Sequence, residues 1–173
     1  MASELGVQTI QHTNGTDALT IGSDGTVTAN QDLSVSGNLL TPARPMFNIR
    51  GGGGAQSATN VIGYTNTGGY YFNVGNHFNT SSPAFTAPVN GYYFFQLSFY
   101  SNNGNSGTVK LDVDGSIGSG AANTYNWNSA SGYETHTYCT FLYLTANQVV
   151  TPYVTNGSVY TDADTNFAGF LIG

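Results

Sequence analysis

Charge is scarce in this sequence. Only 7% of its residues are Asp, Glu, Lys or Arg, against roughly 25% in ordinary soluble domains. Arg44, Arg50 and Lys110 are the only basic side chains, and with nine acidic residues they leave a net charge of −6. Phosphate backbones are held by clusters of Lys and Arg, so nucleic-acid binding is excluded, and an anionic membrane surface offers such a chain no attraction. No apolar run approaches the roughly 20 residues that cross a bilayer as a helix. Met1 to Ile10 contains neither a basic start nor an apolar stretch and does not read as a secretory leader. Cys139 is the single cysteine, so no intrachain disulfide forms. Synthesis in a reducing cytoplasm is the expectation.

What the sequence has instead is 23 glycines and 23 aromatics, namely 12 Tyr, 10 Phe and one Trp. That many aromatics argues against disorder. Thr, Tyr, Phe and Val favour pleated strands, while Gly and Asn favour tight turns. The class is all-β, and no amphipathic helical period is found.

Thr41-Pro42-Ala43-Arg44-Pro45 divides the chain, since two prolines in four residues impose extended backbone. Residues 1–41 carry turn signals at Asn14-Gly15, Asp24-Gly25 and Ser36-Gly37. Between them lie short alternating runs at Ala18–Ile21, Thr26–Thr28 and Leu33–Val35. So few large apolar groups cannot make a core alone. Val7, Ile10, Leu19, Ile21, Val27, Leu33 and Val35 suit a stem in which three copies intertwine; the plain alternative is a polar tether.

Residues 42–173 read as a head. Met46–Arg50 alternates, then Gly51–Gly54 makes a loop with no following helix or Lys to form a nucleotide site. Along Tyr92–Tyr100, Tyr93, Phe95, Leu97 and Phe99 share one face, and Tyr92, Phe94 and Tyr100 the other. A two-sheet sandwich covers one face of each sheet, so the second aromatic face calls for a neighbouring subunit. Val109, Leu111 and Val113 point inward, and Lys110, Asp112 and Asp114 are read as a solvated face. Strands are predicted at Thr137–Leu144, Val149–Val154 and Asn166–Ile172, with Pro152 at an edge or bulge.

The spacing Asn73, Phe78, Phe85, Gly91-x-Tyr93-x-Phe95 resembles the complement q-subunit globular heads, which also include the heads of adiponectin and short-chain collagens. Phe47-x-Ile49, Leu142-x-Leu144 and Phe167–Ile172 are similar to other strands of that family. Thr67 and Leu97 depart from its aromatic positions, and the Gly-Asp after its Leu-rich strand is missing. The resemblance covers about Pro45 to Gly173. It implies a ten-stranded antiparallel jelly-roll sandwich, similar to tumour necrosis factor, that assembles as a homotrimer. Tyr92, Tyr93, Phe94, Phe95, Phe99, Tyr100 and Phe170 are then trimer-interface or core residues.

Candidate chemistry is sparse. Asp112 and Asp114 share a strand face about 7 Å apart, within the range of glycosidase carboxylates, but Lys110 shares that face and no apolar pocket is evident. Asp162-x-Asp164-x-Asn166 begins like a calcium loop, yet Phe167 stands where glycine belongs and no glutamate follows; a surface loop is favoured, with calcium at Asp162, Asp164 and Asn166 the alternative. His136 and Cys139 fall on opposite strand faces, which sets aside a thiol nucleophile and base, and Cys139 reads as a small buried residue. His12 and His77 have no metal-ligand spacing. Tyr125, Trp127 and Tyr133, interleaved with Asn123, Asn126 and Asn128, suit glycan or protein recognition or else cover the core.

The expectation is a non-enzymatic, homotrimeric appendage on a virion surface, such as a phage tail or head fibre. Its stem anchors to other virion proteins and its head touches a host glycan or protein. A capsid or neck decoration trimer is the alternative, and a carbohydrate-degrading enzyme is the least favoured.

Overall fold

The computed structural model describes residues 6–11, 14–15, 17–30, 32–34, 36, 43–52, 54–58, 60–65, 67, 69–115 and 124–173. Thr41-Pro42, His12, Val35, Gly53 and Asn123 lie outside them. The chain forms two units, Met1–Thr41 and Pro42–Gly173.

In the first unit, β1 (Thr9–Gln11), β2 (Asp17–Ile21) and β3 (Val27–Ala29) form an antiparallel meander in the order β1-β2-β3. Gly25 adopts a φ of 82° in the β2–β3 turn, where Asp24 Oδ1 accepts the Thr26 amide at 3.0 Å. Leu33 and Ser34 are not in a strand, contrary to the sequence reading. Val7, Ile10, Val27 and Leu33 are all exposed.

The second unit contains β4 (Met46–Arg50), β5 (Gly54–Ser57), β6 (Asn60–Val61), β7 (Phe72–Val74), β8 (Phe78–Asn79), β9 (Ala84–Thr86), β10 (Gly91–Ser101), β11 (Gly107–Val113), β12 (Thr124–Trp127), β13 (Thr135–Leu144), β14 (Val149–Asn156), β15 (Ser158–Thr161) and β16 (Asn166–Leu171). No helix occurs among the described residues. β15 and β16 run in line along one edge of β10, interrupted by the Asp162–Thr165 turn, while β13 pairs with the other edge. Counting them as one strand and setting aside the two-residue β6 and β8 leaves ten, as expected for the jelly roll.

One sheet carries β7, β4, β16, β10 and β13, with β5 beside β15; the other runs β12-β11-β14-β9-β8, with β6 beside β14. All pairings are antiparallel. The aromatic spacing has a packing cause. Phe47 stacks on Phe78 and Phe85 at 4.8 and 5.1 Å and meets Phe167 edge-on at 5.0 Å. Asn73 fastens this corner, donating to the Phe78 carbonyl and accepting its amide. Gly91 packs closely under the last strand, where a Cβ would stand 2.7 Å from Leu171 Cδ1 and force that side chain to move.

Three readings are corrected. Pro152 occupies interior strand β14, paired with Leu111. Its nitrogen falls where β9 has ended and β6 has not begun, so no ladder bond is lost, and its carbonyl still accepts the Ile62 amide at 2.8 Å. Lys110 and Asp112 are buried rather than solvated, 3.0 Å apart as an ion pair; their cross-strand neighbours Thr124, Thr151 and Tyr153 flank them on that face. Asp114 is exposed but structural, with a φ of 54° and Oδ1 accepting the Val149 amide at 2.8 Å.

Candidate functional site

Strand alternation sends every second side chain of β10 to each face. Tyr93, Phe95, Leu97 and Phe99 are fully buried between the sheets. Tyr92, Phe94, Gln96 and Tyr100 stand on the outer face. There Tyr92 is paired with Tyr143, and Phe94 with Phe141 on one side and Phe170 on the other. The ring centroids are 5.2, 5.3 and 5.4 Å apart. The result is an aromatic ladder open to solvent: Phe141 is 66% exposed, Tyr92 59%, Tyr143 57% and Phe170 42%. A groove of about 330 Å³ continues it across Met46, Phe72, Phe94 and Phe170.

Polar groups occupy the middle of this face. Asn166 Oδ1 accepts from Ser98 Oγ at 2.9 Å and Gln96 Nε2 at 3.3 Å, and Asn166 Nδ2 donates to Asn48 Oδ1 at 2.8 Å. Its side chain is thereby committed across three strands, to Ser98, Gln96 and Asn48. Asp162 Oδ1 accepts the Asp164 amide at 2.9 Å, which closes the turn between β15 and β16.

At the far end of the face Tyr100, Tyr133, Tyr160 and Asp162 line a recess of about 360 Å³. Tyr100 and Tyr160 are cross-strand partners. Tyr133 meets Tyr160 edge-on at 5.4 Å. Burial, then the Asp162 and Asp164 carboxylates, raise the Tyr100 phenol above its usual range, opposed by a hydrogen bond to Thr135.

The proposed recognition trio separates. Trp127 is buried, 5% exposed, with its ring 5.2 Å from Phe99 and its Nε1–H donating to the Asn105 carbonyl at 2.6 Å. It presents no face to a ligand and covers the core, the second of the two readings the sequence offered. Tyr125 packs beside it, 6.1 Å from His136, and Tyr133 lines the tyrosine recess. His136 stacks on Phe99 at 5.4 Å, and burial lowers its basicity against the nearby Glu134. Cys139 is exposed, not buried. Leu142 and Leu144 set the inward phase of β13, and that turns Cys139, Phe141 and Tyr143 outward. The same alternation was the overlooked signal for Phe141 and Tyr143.

A model of the C1q domain family matches residues 54–172. The chain belongs to the C1q domain family. Its domains are generally non-enzymatic binding modules, and trimers are typical of them. Among solved structures, the globular domain of zebrafish complement 1qA protein is similar at 17% identity and a TM-score of 0.53, covering 75% of this chain and 98% of its own. A tumour necrosis factor from S. frugiperda, Eiger, is similar at 10% identity with the same TM-score, covering 75% and 92%. At such identities the likeness is one of fold. No curated protein matches the chain.

Proposed function

We propose that this C1q domain is the trimeric binding head of a virion appendage, in which three copies close on the aromatic face of the larger sheet and residues 1–41 provide an intertwined stem. One observation carries the reading: Tyr92, Phe94, Phe141, Tyr143 and Phe170 form a continuous apolar strip that the monomer leaves in water, and such strips mark interaction surfaces. The family's habit of trimerising supports the same face. The exposed apolar residues of the meander, the low charge and the single cysteine support the stem and the particle setting. Three weak sites on one trimer multiply avidity without new contacts, which suits attachment to a repetitive host glycan or protein.

Cys139 is a built-in reporter, because it stands on this face opposite Gln96. In the native assembly it is expected to resist a bulky thiol reagent and to react fully in urea, while light scattering returns 54.6 kDa for three 18.2 kDa chains. A monomer with a freely reactive thiol defeats the proposal. Immunogold labelling of purified particles with antibody to the head tests the setting separately.

A further inference from the structure

The recess formed by Tyr100, Tyr133, Tyr160 and Asp162 lies on the same face as the aromatic ladder, at its other end. Tyr100 stands six residues along β10 from Phe94, the nearest ladder ring on that strand, about 20 Å at the rise of an extended strand. Its lining is unusual for a chain with so little charge: three tyrosines and an aspartate line one open recess of about 360 Å³. Aromatic faces carry negative potential and attract cations, most strongly where water is partly excluded, and a carboxylate at the rim adds to the attraction.

The parts are held in place. Tyr100 and Tyr160 are fixed by the β10–β15 ladder. The loop carrying Tyr133 is tied to β10 by the Ser101 amide donating to the Glu134 carbonyl at 2.9 Å and the Glu134 amide donating to Ser101 Oγ at 3.0 Å. The Asp162 carboxylate is oriented by the Asp164 amide on Oδ1, and Thr165 Oγ1 braces the turn by donating to the Asp162 carbonyl at 2.9 Å. Gly51 lies so close beneath it that a Cβ would meet Thr165 Oγ1 at 2.2 Å and the Asp162 carbonyl at 2.5 Å. Arg50 is on the other flank of the turn, donating to the Ala163 carbonyl, and does not line the recess.

We propose that this recess is an aromatic cage for the quaternary ammonium group of a small ligand or of a surface polymer substituent. A primary ammonium brings three N–H donors that each want an acceptor, and one oxygen of the single carboxylate already receives the Asp164 amide. A methylated ammonium has no donors to satisfy and needs only ring faces and a counter-charge. A neutral sugar gains nothing from the negative charge of the carboxylate, whereas a cation does, so the charge favours the ammonium over a polyol.

The test titrates the full chain with choline chloride by calorimetry and NMR, with its neutral carbon isostere dimethylbutanol in parallel. Choline is expected to saturate the site and perturb the ring signals of Tyr100, Tyr133 and Tyr160, and the isostere to bind at least about tenfold more weakly, in keeping with cation–π and ion-pair strengths. Asp162→Asn keeps the Oδ1 acceptor of the turn and removes the charge, and it should weaken choline about tenfold. Tyr133→Ala should weaken it similarly and Tyr133→Phe should restore it, since the ring face rather than the hydroxyl is used. No saturation by about 10 mM choline, equal binding of the isostere, or saturation by a methyl glycoside instead would each overturn the cage. Light scattering on the same samples reports assembly, so a failed cage is distinguished from a failed trimer.

Discussion

Replacing Phe141 with Asp tests the assembly face most directly. Phe141 lies on β13, which among the described residues pairs with β10 alone, and its ring is 66% exposed, so the monomer loses little by the change. Exposed substitutions of this kind usually shift stability by less than about 0.5 kcal/mol. In the assembly the arithmetic differs. A phenylalanine offers about 200 Å², so roughly 130 Å² remains to be covered, which at about 25 cal/mol per Å² is near 3 kcal/mol per chain. Three copies bring that to about 10 kcal/mol per trimer, or roughly seven orders of magnitude in the association constant. An unpaired carboxylate in the same place adds a desolvation cost of its own. Phe141→Asp is therefore expected to be a folded monomer of 18.2 kDa at micromolar concentration, with the native protein's circular dichroism and a freely reactive Cys139. A Phe141→Asp protein that still elutes and scatters as a trimer, with Cys139 protected, would refute the assignment of the interface to this face.

Two further outcomes follow from the interior. Trp127→Ala removes a buried indole and its hydrogen bond to the Asn105 carbonyl, and about 3–5 kcal/mol of stability should be lost in denaturant unfolding, with the tyrosine recess still able to bind. Tyr64 is fully buried, with its hydroxyl donating to the Ser98 carbonyl at 2.6 Å, and burial holds its phenol well above the ordinary value near 10. The unfolded chain releases that proton first, so this contribution is complete below pH 10 and falls as pH rises through and beyond it; Tyr64→Phe should be slightly less stable at neutral pH and show a flatter alkaline limb in urea midpoints.

The fold was legible because its signals are local or periodic. Tyr92–Tyr100 announces two faces by period alone, and the spacing Asn73, Phe78, Phe85 reflects a corner in which one asparagine bonds both backbone groups of Phe78. Sites were less legible because they depend on which strands become neighbours. Tyr100 and Tyr160 are 60 residues apart in sequence and meet only through the β10–β15 pairing. Trp127 looked like a recognition residue amid Asn126 and Asn128, but the register with Gly107 presses its ring onto a residue without a side chain, where a Cβ would approach it to 2.5 Å. Composition cannot distinguish an aromatic beside amides at a surface from one that is capped by a glycine.

The buried Lys110–Asp112 pair makes a sharper case, since alternation correctly put both side chains on the face away from Leu111 and wrongly implied solvent. Both are less than a tenth exposed. Taking two charges from water costs several kcal/mol per ion, and mutual attraction offsets this only when both partners are present. Asp112 Oδ1, 3.0 Å from Lys110 Nζ, has no directed hydrogen bond among the described residues, so that oxygen relies on the positive charge. Lys110→Met keeps the aliphatic length and deletes the charge, which strands the carboxylate; a loss of about 3–5 kcal/mol is expected in denaturant unfolding. Adding Asp112→Leu to the same chain removes the stranded group and should recover most of that loss, because a well-packed apolar pair is often as stable as a buried ion pair. Equal stability of Lys110→Met and the unaltered protein would mean that water reaches Asp112 and that the face is solvated after all. Recovery in the double variant would instead assign the pair to specifying how β11 registers between β12 and β14, rather than to holding the sheet together.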